Sequence, residues 1–108
     1  MHGMRGLTLI VASADAARYR SALTLACAQA ALGGRARLFH DDAAVTLLAT
    51  GPLDATLAQA RAMDVKLIVC QTALDAHGLT IGDLHEGSEG GGMISLLATI
   101  EDDRLVFV

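Results

Sequence analysis

Leu7-Thr8-Leu9-Ile10-Val11-Ala12 is an apolar run interrupted only by Thr8. Such continuity, without polar residues at every second place, marks a strand buried on both faces of a parallel sheet. It is the best candidate for a central strand. Ser13-Ala14-Asp15 supplies an N-cap, and Ala16 through Leu32 then reads as a helix of high propensity that Gly33-Gly34 closes. Beyond Arg18, Arg20 and Ser21, only Thr24 and Gln29 interrupt the Ala, Leu and Cys of this helix. Its apolar stripe is wider than one sheet contact needs, and the excess reads as a subunit interface.

Outward from this unit, the alternation continues. Arg35 to His40 makes a second strand, Asp41-Asp42 a polar turn, and Ala43 to Ala49 a short helical segment ended by the breaker Thr50-Gly51-Pro52. Asp54 to Met63 has helical spacing, and Lys66 to Cys70 is another buried strand. A helix from about Thr72 to Ala76 breaks at His77-Gly78; Leu79 to Gly92 shows no strong periodicity; Met93 to Ile100 is the last helix and Arg104 to Val108 the last strand. Strands alternating with helices need crossover connections. The expected fold is α/β: a three-layer α/β/α domain with a mostly parallel, doubly wound sheet of four to five strands. It occupies residues 1–108 as a single domain, with 1–6 irregular.

Composition bounds the function. Of 108 residues 53% are hydrophobic, with Tyr19, Phe39 and Phe107 the only aromatics; the mean hydropathy is +0.46 and the pI near 5.3. A net charge of −4 leaves no electrostatic footprint for nucleic acid or an anionic membrane. The charge is uneven, +2 over residues 1–70 and −6 over 71–108, and a solvated acidic face is the simplest account. The opening Met1-His2-Gly3-Met4-Arg5-Gly6 lacks the apolar core of a signal peptide, and no apolar stretch approaches the roughly 20 residues that span a bilayer. With two cysteines only, Cys27 and Cys70, the expectation is a cytoplasmic protein with reduced thiols.

Ligands of open α/β sheets collect at the carboxyl ends of the strands. There the sequence places Ser13 and Asp15, His40 with Asp41 and Asp42, and Cys70 with Gln71 and Thr72. Cys70 has the strongest chemical case, because a helix starting just beyond it aims backbone N–H groups at the sulfur, and a thiolate is a nucleophile. An inert Cys70 completing the strand stands beside that reading, since free cysteine is among the most buried residue types. Cys27, mid-helix on the apolar stripe, reads as core, and no Cys-x-x-Cys exists. His40, Asp41 and Asp42 are explained as well by a polar loop as by metal or acid–base chemistry. His77 and His85 fall in expected loops and read as solvated. Gly87-Ser88-Glu89-Gly90-Gly91-Gly92 lacks the Walker lysine and the G-x-G-x-x-G spacing, and Glu86 and Glu89 would repel a phosphate. Flexibility or close backbone approach accounts for it better. No hydrolase triad or zinc pattern is present, so neither a metal nor a cofactor is expected.

Taken in order, several segments resemble the DsrE-like family: the apolar first strand, the Ala-rich helix ending at Gly33-Gly34, Leu38-Phe39-His40-Asp41-Asp42-Ala43-Ala44-Val45, and Val69-Cys70-Gln71-Thr72-Ala73-Leu74-Asp75-Ala76-His77-Gly78-Leu79, in which the strand-end cysteine precedes a glycine by eight positions. Glu89-Gly90-Gly91 and Asp103-Arg104-Leu105-Val106-Phe107 are similar to the family's closing portion. The resemblance covers Leu7 to Val108. It implies a persulfide held on Cys70, received from a donor protein and passed to an acceptor, and a homo- or hetero-oligomer. Two departures stand out: Asp42 occupies the family's usual glycine position, and the flanks of Cys70 differ from those of relay subunits. The competing reading is a non-catalytic oligomeric binding module in which Cys70 only packs.

Overall fold

The computed structural model describes residues 4–49 and 51–108; Met1, His2 and Gly3 of the expected irregular start and Thr50 of the expected breaker lie outside the described residues. Five strands form one sheet: β1 (Leu7–Val11), β2 (Ala36–His40), β3 (Lys66–Cys70), β4 (Glu89–Gly91) and β5 (Arg104–Phe107). Their order is β4-β3-β2-β1-β5, and every pair is parallel. Four helices connect them: α1 (Ala16–Ala31), α2 (Asp54–Ala62), α3 (Gln71–Ala76) and α4 (Met93–Ala98), with a short 3₁₀ turn at Asp42–Leu48 where the sequence reading placed a helical segment. The expected α/β class and parallel sheet are present.

The handedness of parallel crossovers determines where each helix lies. From β1 to β4 the chain steps along the sheet in one direction, so α1, α2 and α3 share one face. There Tyr19, Leu23, Leu57, Ala60, Ala73 and Leu74 pack on Leu9, Val11, Leu38, Leu67 and Val69. From β4 to β5 the chain must return across the whole sheet, and α4 therefore crosses the other face, where Leu96 packs on Ile10 and Phe39. The sheet is doubly wound but lopsided, with one six-residue helix on the second face.

β4 is absent from the sequence reading for a physical reason. Three residues, two of them glycine, are too short for period-2 alternation and carry no side chains to alternate. The free edge of β3 supplies the backbone partners that make it a strand, in the register Cys70 opposite Gly91. A Cβ at Gly91 would press on Ile68, and one at Gly90 would strike the Gln71 side chain. The close backbone approach read from this glycine run is what the fold contains.

Helix ends follow their chemistry. Asp15 caps α1 by accepting from the Arg18 N–H at 2.9 Å. After α3, Gly78 N–H donates to the Asp75 carbonyl and Leu79 N–H to the Leu74 carbonyl, a Schellman motif requiring φ > 0 at Gly78, which has φ 68°. The same pair of bonds closes α2, from Asp64 to Arg61 and from Val65 to Ala60, but Asp64 occupies the left-handed position with φ 67°. Asp42, at the start of the 3₁₀ turn, is also left-handed, with φ 48°.

The acidic C-terminal third is solvated except for Asp103, whose side chain is 3% exposed. Asp103 pairs with Arg35 at 2.8 Å and accepts from Thr8 Oγ1 at 2.8 Å. Thr8 in turn accepts from Arg37 Nε at 3.0 Å, while the Arg37 guanidinium also donates to Thr99 Oγ1 and the Leu96 carbonyl. This network fastens α4 and β5 to the sheet.

Asp64→Gly will raise stability by about 0.5–1 kcal/mol in chemical denaturation by removing left-handed strain, whereas Gly78→Ala will lower it by about 1 kcal/mol. Equal effects of either sign at the two positions would refute this account of the caps.

Candidate functional site

A crevice opens in a doubly wound sheet where two neighbouring strands send their outgoing connections to opposite faces. Here that place lies between β3 and β4, since the chain leaves β3 into α3 on the first face and leaves β4 into α4 on the second. Cys70 is the last residue of β3 and the N-cap of α3, with extended backbone (φ −71°, ψ 117°) and no side-chain cap on the helix. Its half-buried side chain packs against both core clusters, one on each face of the sheet. The thiol therefore straddles the switch point.

The neighbours divide by role. Gln71 and Thr72, the first residues of α3, are exposed beside the sulfur, and the Gln71 side chain lies over Gly90. Ser13 is half-buried in the bend after β1. The Asp15 carboxylate is engaged in capping α1, and Asp41 caps the 3₁₀ turn through the Asp42 N–H at 2.9 Å. Asp42 lies 3.6 Å from exposed His77. His85, read as solvated, is instead largely buried, its side chain 12% exposed and 3.6 Å from Asp54.

His40 does not face the open edge. It is wholly buried, with Nδ1 2.7 Å from the Ile68 carbonyl and Nε2 2.6 Å from the Tyr19 hydroxyl. A carbonyl only accepts, so Nδ1 carries the proton and Nε2 accepts from Tyr19. Burial holds the imidazole neutral, its pKa pushed down to about 4, with the backbone bonds acting in the opposite direction. Tyr19 is equally buried and its hydroxyl pushed well above the usual range by desolvation. This chain ties α1, β2 and β3 together two residues before Cys70. The sequence reading missed Tyr19; the available signal was a lone tyrosine four residues past an N-cap, on the sheet-facing side of an Ala-rich helix.

Cys27 sits elsewhere. It lines an open groove of about 580 Å³ between α1 and α2, with Leu23, Thr56 and Met63, and burial pushes its thiol up. Among the described residues no group of three or more His, Cys, Asp and Glu is arranged to hold a metal ion, and no helix is long and apolar enough to cross a membrane.

The model of the DsrE/DsrF-like family matches residues 6–108. The crystal structure of the ychN protein from E. coli superposes with a TM-score of 0.85 at 22% identity, over 97% of this chain and 100% of that one. A protein of unknown function from Methanobacterium thermoautotrophicum, MTH1491, superposes with a TM-score of 0.81 at 14% identity and the same coverage. No match is found among the curated proteins.

The depressed His40 value makes stability depend on pH. Because the folded pKa lies below the unfolded value of about 6.5, this contribution is complete above pH 6.5 and is lost as pH falls towards 4, by roughly 3 kcal/mol in all. Denaturant midpoints measured from pH 7 to pH 4 will show that decline, and His40→Gln, less stable at pH 7, will show a shallower one. Parallel profiles for the two proteins would refute the buried neutral imidazole.

Proposed function

We propose, from the premise that the chain belongs to the DsrE/DsrF-like family, that it is a sulfur carrier holding a persulfide on Cys70. The family is generally associated with sulfur relay, and its members are often oligomeric. The observation that carries the reading for this chain is the position of Cys70 at the switch point between β3 and β4. A ligand-gathering crevice in this topology belongs at that place, and the one side chain there able to form a covalent sulfur adduct is the thiol.

The chemistry is thiol–disulfide exchange with sulfane sulfur. The Cys70 thiolate attacks the terminal sulfur of a donor persulfide; the Sγ–S bond forms as the donor's S–S bond breaks, and the donor leaves as its thiolate. In the second half an acceptor thiolate attacks the outer sulfur on Cys70, and Cys70 leaves as thiolate. No net oxidation occurs and no cofactor enters. The first N–H groups of α3, which precede any intrahelical carbonyl, point towards the strand end and favour negative charge there. Donor and acceptor are proteins that approach from the carboxyl edge, a setting that fits a cytoplasmic protein with reduced thiols.

The contact of Cys70 with both core clusters favours the second reading, a binding module in which the thiol packs and does no chemistry. Reactivity separates the two. Incubated with a small-molecule or protein persulfide donor, the wild type and Cys27→Ser will gain the mass of one sulfur atom, removable by a reductant, and Cys70→Ser will gain none. An adduct that persists in Cys70→Ser, or a native Cys70 that iodoacetamide labels no faster than Cys27, would return Cys70 to the core-packing role.

A further inference from the structure

On the second face of the sheet, α4 and the strands beneath it enclose a crevice of about 220 Å³. Arg37, Ile68, Leu96 and Ser95 line it, together with the backbone of Gly90, Gly91 and Gly92. Neither cysteine is among its walls, and the persulfide chemistry makes no use of it.

Arg37 is the group whose environment is incomplete. Its side chain is 9% exposed, and a guanidinium carries five N–H donors and keeps its charge in any protein. Three donors are taken: Nε by Thr8 Oγ1, Nη1 by Thr99 Oγ1 at 2.8 Å, and Nη2 by the Leu96 carbonyl at 3.2 Å. One N–H on each terminal nitrogen is left without a partner among the described residues. The charge is no better matched. Asp103, the buried carboxylate nearby, gives its short contacts to Arg35 and Thr8, both at 2.8 Å, and stays 3.7 Å from Arg37 Nε. Two guanidinium groups thus share one buried carboxylate, and a positive charge stands unmatched at the wall of the crevice. Burial, and after it the Arg35 charge, push the Arg37 value down, and Asp103 and Glu101 only partly offset them.

We propose that this crevice binds a small monocarboxylate, its two oxygens on the spare N–H groups of Arg37 and its short apolar body against Ile68 and Leu96. A carboxylate matches the guanidinium fork, which accepts one oxygen on each terminal nitrogen. A single negative charge follows from the surroundings. Only one positive charge is unmatched, and Glu89, the register partner of Ile68, also lines the crevice, so the second charge of a phosphate or sulfate would be repelled. The volume admits an acid of a few carbon atoms. Glu89 is exposed and could pair with an ammonium group, so both a plain acid and an α-amino acid carry the required chemistry. The site does not depend on the persulfide reading and would survive its failure.

Titration of the reduced wild-type protein with propionate and with L-alanine, followed by amide NMR, tests the site. Saturable shifts are expected at the amides of Gly90, Gly91 and Gly92 and at the Arg37 Nε–H, with sulfate producing none. Tighter binding of alanine, with the margin lost in Glu89→Gln, will identify an α-amino acid as the ligand; equal or tighter binding of propionate will identify a plain carboxylate. Arg37→Met will weaken binding by at least about tenfold, the scale of lost charge-assisted hydrogen bonds. Because Arg37 also braces α4, Ser95→Glu is the deciding variant should Arg37→Met fail to fold. Ser95 is exposed at the third position of α4, where glutamate suits a capping box, so the helix is kept while a carboxylate is set at the crevice wall, and binding will be lost. An absence of saturable shifts with both acids, sulfate binding as tightly as either, or undiminished binding in folded Ser95→Glu would overturn the proposal.

Discussion

The handedness of parallel β–α–β crossovers is the constraint from which the rest of this molecule follows. Three consecutive right-handed steps put α1, α2 and α3 on one face of the sheet, and the long return from β4 to β5 puts α4 on the other. The change of face falls between β3 and β4. Everything of chemical interest at the carboxyl edge is organised by it: the end of β3 at Cys70, the glycine backbone of β4 lying against it, and two helices diverging above and below.

Two buried polar networks brace this arrangement at opposite ends of the strands. At the carboxyl end, Tyr19 and His40 satisfy each other and the Ile68 carbonyl, which fixes the last turn of the sheet before the cysteine. At the amino end, Arg35, Arg37, Thr8 and Asp103 fasten α4 and β5. A buried polar group left unpaired costs about 1–3 kcal/mol, and a buried charge more. Such networks therefore add little net stability when complete, yet strongly oppose any alternative register that would break them.

The two cysteines show how placement outweighs identity. Cys27 lines an open groove between α1 and α2 but lies mid-helix, its thiol pushed up by burial. Cys70 lies where the chain changes from strand to helix, with no side chain capping the helix before it. A groove between helices and a crevice set by strand topology are different features of this fold, and the two cysteines belong to one each.

Much of the architecture was legible in the sequence alone. Continuous apolar runs at β1 and β3, the Asp15 cap, and the glycines after α1 and α3 each encode a local structure that depends on neighbouring residues, so strand and helix boundaries, the parallel sheet class and Cys70 at a strand end could be read directly. What the tertiary structure decided is what depends on distant pairing. β4 exists because β3 has a free edge; His40 is buried because Tyr19, 21 positions earlier, meets it; Asp103 leaves the solvated acidic face because Arg35, Arg37 and Thr8 converge on it. Side-chain periodicity carries information about which face a residue presents, but none about which other segment will cover that face, and that is why the strand order and the switch point at Cys70 emerge only when the chain is folded.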